Sequence, residues 1–299
     1  MTPTPEQLAA IRSNLFRGAR WILDEQPDFP WHRDRSKQPT AGKKRSSQAL
    51  ALDLFATIER LQSRNAIVNA WCELLELPID VNWQLEAEHL VAPELLGELR
   101  SSQLDAVAWG EQHLIVWEAK FTEQDGGGCS QVVPQGEGAN EGLVQCNGRY
   151  ERQVNPVNGR EARCVLTGKG IRYWDHIPRL LGVSADEDHA PCPYRGGTYQ
   201  WMRNVLGADA LARAHTKRAA FVLLHAGKGF PMASHLGQES AWASISTAAT
   251  QSGLPVRVVT YMELLVHAVR AANHAESAIV EELAAWIDHK CRTAYDVHS

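Results

Sequence analysis

Hydrophobic and polar residues alternate with two different periods along this chain of 299 residues, and each period predicts a different element. Apolar residues at helical spacing predict several helices in the first 75 residues. Strict alternation then predicts three strands, at Val81–Val91, Gln103–Trp109 and His113–Phe121, the last two joined by a turn at Gly110-Glu111. Successive strands with short connections favour an antiparallel meander.

The pattern changes after Glu123. The segment 124–195 is rich in Gly, Pro and Asn, but its aromatic and apolar residues indicate that much of it folds as an insertion. Beyond it, Thr198–Ala214 has helical spacing, and the continuous apolar run Ala219–His225 is typical of a central strand covered on both faces. Pro255–Tyr261 predicts another strand, followed by two terminal helices.

These elements predict an α/β fold in which helices flank a mixed central sheet, with a cysteine-containing insertion after the third strand. We expect an N-terminal helix and basic loop over residues 1–45, followed by one domain over residues 46–299 with its insertion at 124–195. The start of the chain has no apolar run of signal-peptide length, and no segment is long enough to cross a membrane. We therefore expect a cytoplasmic protein.

The net charge of −5 argues against binding nucleic acid with the whole surface, so such binding requires a local basic patch. One loop around Pro27, Pro30 and Pro39 has that composition. Its basic residues are Arg33, Arg35, Lys37, Lys43, Lys44 and Arg45. The loop is either a solvated surface segment or a segment that grips phosphate groups.

The predicted hairpin brings three charged residues together on apolar strands. Glu118 and Lys120 are two residues apart, so a strand turns both to one face, and Asp105 lies on the partner strand. Buried charges are costly unless they bind something. Two carboxylates suit Mg²⁺ or Mn²⁺, and a lysine can position the water that attacks a phosphate. A similar triplet at Asp288–Lys290 lies in a predicted helix, where residues two apart do not share a face.

Cysteines are concentrated in the predicted insertion, which holds Cys129, Cys146, Cys164 and Cys192. They lack the paired C-x-x-C spacing of zinc ribbons. A bound Zn²⁺ or iron–sulfur cluster and four unconnected buried thiols both stay open, with His176 and His189 as alternative ligands. Cys72 and Cys291 are expected to be structural. No Walker lysine loop, dinucleotide-binding glycine motif, H-E-x-x-H or G-x-S-x-G is present.

Several blocks of the chain resemble a known family. The element order resembles the PD-(D/E)XK nuclease superfamily. Within it, the blocks SSQALALDLF, VWEAKFTE, KGIRYWDHIP and CPYRGGTYQWMRN resemble a bacterial family of restriction endonucleases, over about Trp31 to Leu265. The resemblance implies that Asp105 and Glu118 bind a metal ion and that Lys120 is catalytic. Leu104 replaces the proline of the superfamily motif, a departure that many members tolerate.

The resemblance also implies auxiliary residues. Gln200 matches a glutamine that points into the site of many relatives. Arg203 is one turn farther along, and it either binds a phosphate group or forms a surface salt bridge. Asp53 is either an auxiliary acid or a surface acid, and Glu88 is either a further metal ligand or part of a solvated polar face. The expected function is metal-dependent DNA cleavage, by a possible homodimer. The alternatives are a catalytically silent nucleic-acid-binding protein and a repair-type exonuclease with an Fe–S cluster or zinc.

Overall fold

The computed structural model of the chain describes residues 3–34, 36–136, 140–237 and 240–294. Its helices are α1 (Pro5–Asn14), α2 (Trp21–Glu25), α3 (Ser47–Glu59), α4 (Arg64–Leu74), α5 (Val165–Gly168), α6 (Tyr173–Leu181), α7 (Tyr199–Ala214), α8 (Ala241–Gln251), α9 (Tyr261–Ala271) and α10 (Ser277–Thr293). Its strands are β1 (Gln84–Val91), β2 (Ser102–Trp109), β3 (His113–Lys120), β4 (Gln153–Val154), β5 (Glu161–Ala162), β6 (Arg218–His225) and β7 (Val256–Thr260).

Five strands form a mixed central sheet in the order β1-β2-β3-β6-β7. The pairs β1–β2 and β2–β3 are antiparallel, which confirms the predicted meander. The pairs β3–β6 and β6–β7 are parallel. The apolar strand β6 lies between β3 and β7 and is almost entirely buried, as its continuous apolar run predicted. The prediction of a mixed α/β sheet flanked by helices is confirmed.

Helices cover both faces of this sheet. On one face, α3, α4, α9 and α10 pack against alternate residues of β3 such as Ile115 and Trp117. On the other face, α6, α7 and α8 pack against Leu114 and Val116. Because side chains alternate along a strand, Glu118 and Lys120 continue the second set and face α7.

The N-terminal region is not the continuous helix suggested by its apolar spacing. Helix α1 ends at Asn14, and a 3₁₀ turn at Arg17–Ala19 precedes α2. The break lies where the backbone amide of Phe16 turns inward and donates a 2.6 Å hydrogen bond to Oδ1 of Asp53. Apolar residues of this region pack on α3 in a core of their own. The domain boundary after residue 45 stays a prediction.

Asp53 is fully buried, so its interpretation as a surface acid is wrong. Its Oδ2 accepts hydrogen bonds from Lys290 Nζ at 2.7 Å and from Trp286 Nε1 at 2.8 Å. Burial raises the pKa of Asp53, and the charge of Lys290 partly offsets that rise. The lysine of the second triplet therefore pairs with Asp53 and ties α10 to α3, and Asp53 does not line the cleft described below.

The described part of the segment 124–195 is folded. It contains the two-stranded sheet β4–β5 and helices α5 and α6, and the Tyr150 ring stacks on that of Trp174 with centroids 3.5 Å apart. Its status as an insertion stays a prediction. Within the described ranges, every helix is too short or too polar to cross a membrane.

Candidate metal centre and active-site cleft

A cleft of about 770 Å³ opens where β2 and β3 separate. The ladder between the two strands ends at the pair Ala106–Trp117. Beyond it, the amide of Ala119 donates instead to Oδ2 of Asp105, at 2.7 Å. This register places Asp105 opposite Glu118. The acidic, basic and histidine side chains lining the cleft are His32, Glu98, Arg100, Asp105, Glu118, Lys120, Glu123 and Arg203.

Lys120 is held between two fixed acceptors. Its Nζ lies 2.5 Å from Oε1 of Glu118 and donates to Oε1 of Gln200 at 2.9 Å. An ammonium group has three N–H donors, so these contacts leave one for a further partner. Gln200 lies in the first turn of α7 and lines the cleft, as the resemblance implied.

Asn204, which sequence reasoning missed, holds the other oxygen of Glu118. Its Nδ2 donates a hydrogen bond to Oε2 of Glu118, and its Oδ1 accepts one from Nε of Arg203 at 3.0 Å. On α7, Arg203 is three residues after Gln200 and Asn204 is the next residue, so the three lie near one another along the helix. That spacing after the predicted Gln200 is the only sequence feature that pointed toward Asn204.

Glu88 is buried, so its interpretation as part of a solvated polar face is wrong. The β1–β2 register, with Ala87 opposite Ala106 and His89 opposite Leu104, places it opposite Asp105. Its φ is 58°, a left-handed conformation that is uncommon for a residue with a side chain and is often found at functional sites. Oε1 of Glu88 is buried and has no hydrogen-bond partner among the described residues.

His32, the second residue that sequence reasoning missed, comes from the N-terminal region. Its Nε2 lies 3.0 Å from Oε2 of Glu88. The buried side chain of Gln48 on α3 fixes this approach by accepting from the amide of His32 at 3.0 Å and donating to the carbonyl of Pro30 at 3.3 Å. No spacing in the sequence relates His32 to the distant hairpin, so only the fold brings them together.

His32, Glu88 and Asp105 could hold a metal ion. One ligand atom from each lies within 4.8 Å of the other two, and no other such group of three occurs in the ranges that the structure describes. Glu118 stands beside the group, with both oxygens bound by Lys120 and Asn204. The unpartnered oxygen of Glu88 and the excess of carboxylates over cations both fit a divalent cation with oxygen ligands.

The pKa values show the same excess of negative charge. Burial raises the pKa of Asp105 well above its usual range, and the charges of Glu118 and Glu88 raise it further. Burial lowers the pKa of Lys120, but Glu118 and Asp105 outweigh it and the net shift is upward. Burial also lowers the pKa of His32, but its hydrogen bond and attraction to Glu88 raise it to about 9. A bound cation would relieve the repulsion among the carboxylates.

The basic loop borders the cleft. A groove lined by Arg33, Lys43 and Arg45 shares the residues His32 and Gln103 with it. Intramolecular contacts hold these side chains.

Lys43 Nζ pairs with Asp34 at 2.5 Å, Arg33 Nη1 donates to the carbonyl of Lys37 at 2.7 Å, and Arg45 Nε donates to that of Ala294 at 2.7 Å. Lys37 and Lys44 are exposed and line neither the groove nor the cleft. Arg35 lies outside the described residues.

The four cysteines of the segment 124–195 line one common cavity, separate from the metal-ligand group, and none forms a disulfide. Tyr173 and Tyr199 line both this cavity and the cleft. The sequence-predicted site residues therefore lie in three places. One group lines the cleft, a second lies in the loop at the border of the cleft, and the four cysteines lie behind the wall of the cleft.

Comparisons with known proteins give one match. Searches of curated proteins and of solved structures found no match. The family model described as Restriction Endonuclease associating with ARP matches residues 15–285, nearly the whole chain. This match confirms the resemblance stated from the sequence blocks, and the chain belongs to this restriction-endonuclease family.

Proposed function

We propose that this protein is a metal-dependent nuclease that hydrolyses phosphodiester bonds in DNA. The observation that supports it most is the group of Asp105, Glu118 and Lys120 where β2 and β3 separate, lining a cleft bordered by basic residues, with the buried Glu88 of β1 opposite Asp105. Family membership supports the nuclease class independently. The identity of the metal ion, the DNA substrate and the direction from which water attacks the phosphate are all part of this proposal.

In this proposal Asp105 and Glu118 are the primary metal ligands inferred from the sequence, and Glu88 and His32 complete the set. Carboxylate oxygens suit Mg²⁺ and Mn²⁺, whereas an imidazole is a better ligand for transition metals, so both ions belong in the test. When bound, the divalent cation would polarise the scissile phosphate and lower the pKa of a bound water.

The protein's own groups would act beside the cation. Glu118 and Gln200 use two of the three N–H donors of Lys120, and the third is available to a phosphate oxygen or to the attacking water. The positive charge of Lys120, kept by its neighbouring carboxylates, would stabilise negative charge that develops on the phosphate. Arg203, which lines the same cleft, would hold a neighbouring phosphate.

The test is cleavage of circular and linear DNA by the purified full chain, with no divalent cation, with Mg²⁺ and with Mn²⁺. We expect cleavage that requires the cation and falls by about a hundredfold or more in Asp105→Asn and in Lys120→Met. Asp186→Asn, which neutralises an exposed acid outside the cleft, is the matched control and should cleave normally.

A second measurement separates loss of chemistry from loss of folding. Mg²⁺ or Mn²⁺ should raise the melting temperature of the wild-type chain, because a ligand that binds only the folded state stabilises it. This rise should be smaller in Asp105→Asn. Unchanged cleavage in both cleft variants would refute the proposed site. DNA binding with steep salt dependence, but no cleavage with either cation, would instead support the catalytically silent alternative. The homodimer stays a prediction.

A further inference from the structure

Four cysteines from separate parts of the segment 124–195 surround one cavity of about 30 Å³. They are Cys129, before a 3₁₀ turn, Cys146, in a loop, Cys164, before α5, and Cys192, in the loop before α7. We call them the cysteine cluster. The cavity exceeds the roughly 10–15 Å³ that a single water needs. His176 and His189 do not line it, so the cysteines are its candidate ligands.

One sulfur of the cysteine cluster accepts a hydrogen bond from the backbone amide two residues farther along. The amide of Gly148 lies 3.4 Å from Sγ of Cys146. Such a bond fixes the direction of a sulfur, as bonds of this kind do around metal-bound thiolates.

The two cysteines outside the segment provide an internal comparison. Cys72 lies in the main core and Cys291 packs against it, both on helices. Neither lines the cavity, so convergence on one cavity distinguishes the cysteine cluster from these two buried thiols.

The cavity wall combines aromatic rings with arginine side chains. Aromatic rings of Tyr150 and Trp174 line it, together with Arg149, Arg163 and Arg195. Arg149 pairs with Glu151 and Arg163 with Asp188, so salt bridges hold these two side chains beside the cavity.

The separation of the sulfurs distinguishes between the two kinds of metal centre. One zinc ion binds thiolates at about 2.3 Å in a tetrahedron, so its sulfurs lie roughly 3.8 Å apart. All four cysteines are described, and no three of their sulfurs lie within 4.8 Å of one another. In a four-iron cluster each thiolate binds a different iron atom, so the sulfurs lie farther apart.

We propose that the cysteine cluster binds one [4Fe–4S] cluster, a second metal centre distinct from the ion site in the cleft. Its role would be structural. The amide of Cys129 donates to the carbonyl of Arg195 at 3.1 Å, and that of Gln200 donates to Gly126 at 2.7 Å. The loops that hold the cysteines are thus bonded to the start of α7, so the iron–sulfur cluster would fix the wall that presents Gln200 to the cleft.

The test is chemical analysis of the full chain, purified without oxygen, for iron, acid-labile sulfide and zinc. We expect about four iron and about four sulfide per chain, and a visible absorption band that dithionite bleaches. Cys146→Ser and Cys192→Ser should lower the iron content by about tenfold or more. Cys291→Ser, which removes a cysteine outside the cavity, should retain it.

About one zinc per chain without sulfide, or a wild-type chain free of both metals after anaerobic purification, would overturn the proposal. If a serine variant fails to fold, the metal and sulfide content of the wild-type chain still decides. The readout is composition rather than cleavage, so this centre can be present even if the chain proves to have no nuclease activity.

Discussion

Asn204 on α7 donates a hydrogen bond from Nδ2 to Oε2 of Glu118 on β3. The contact from Arg203 Nε to Oδ1 of Asn204 fixes which end of the amide faces the carboxylate. Since Lys120 binds the other oxygen, Glu118 is held at both ends. A carboxylate held in this way cannot rotate without losing a contact, so Asn204 would position Glu118.

Replacing Asn204 with Ala should lower Mg²⁺-dependent cleavage by about 10–100-fold, the usual effect of removing a partner of a metal ligand. Asn204→Asp should cost more, because a second carboxylate would then face Glu118. Raising the concentration of the cation should partly restore Asn204→Ala. Asn155→Ala, which removes another buried amide outside the cleft, is the control. Equal losses in Asn155→Ala and Asn204→Ala would mean that only folding is affected.

The sequence predicted those parts of the site that depend on short-range order. Alternation along β3 was sufficient to place Glu118 and Lys120 on one face, and the hairpin register brings Asp105 opposite Glu118. Local patterns could not reveal Glu88 and His32 as neighbours. Alternation assigned Glu88 to a polar face of β1, but the N-terminal region covers that face and brings His32 to it.

Asp53 shows the same limit at longer range. Its partner Lys290 is 237 residues away, and neither residue lies in a pattern that specifies the other. Pairing over such a distance is decided by how α3 and α10 pack, which no spacing within either helix encodes. The four cysteines likewise had no recognisable spacing, because the loops between them determine their convergence.

Glu88 should be tolerated better as Gly than as Ala. Both variants lose the same carboxylate, but only Gly adopts the observed φ of 58° without steric cost. We expect Glu88→Gly to have a free energy of unfolding about 1 kcal/mol higher than Glu88→Ala, measured by urea denaturation without divalent cations. Both should lose most of the thermal stabilisation by Mn²⁺. Equal stabilities would show that the backbone at this position is not strained.

Asp80 should stabilise the fold at neutral pH but not in acid. Burial raises the pKa of its carboxyl, but the amides of Gln112, Val81 and His113 outweigh burial and lower it. A carboxyl with a lowered pKa contributes stability above its unfolded value of about 3.9, and this contribution is lost as the pH falls through the folded value. Oδ2 of Asp80 accepts from the amides of Gln112 at 2.7 Å and His113 at 2.8 Å, which bracket the start of β3.

We therefore expect Asp80→Asn to lower the free energy of unfolding by about 1–3 kcal/mol near neutral pH. The difference from wild type should shrink as the pH falls below about 4, because the unfolded carboxyl is protonated first, and should vanish only below the lowered folded pKa. Denaturation curves across this range provide the measurement, and Asp186→Asn is the exposed control. A difference that stays constant down to the lowest pH would contradict an electrostatic origin.

Arg203 and Lys43 should each contribute about one phosphate contact. Arg203 lines the cleft, and Lys43 lines the bordering groove. The ammonium of Lys43 forms an exposed ion pair with Asp34, and such a pair is weak enough for a phosphate to replace the carboxylate. Alanine at either position should weaken DNA binding and lower the slope of log K against log salt concentration by about one. Binding is measured by fluorescence anisotropy in EDTA, which prevents cleavage.

Arg152→Ala is the control for this measurement. It removes an exposed arginine that is paired with Glu161 and lies outside both surfaces, so it should leave the slope unchanged. A slope that falls equally in all three variants would indicate binding through overall charge rather than through the cleft and its bordering loop.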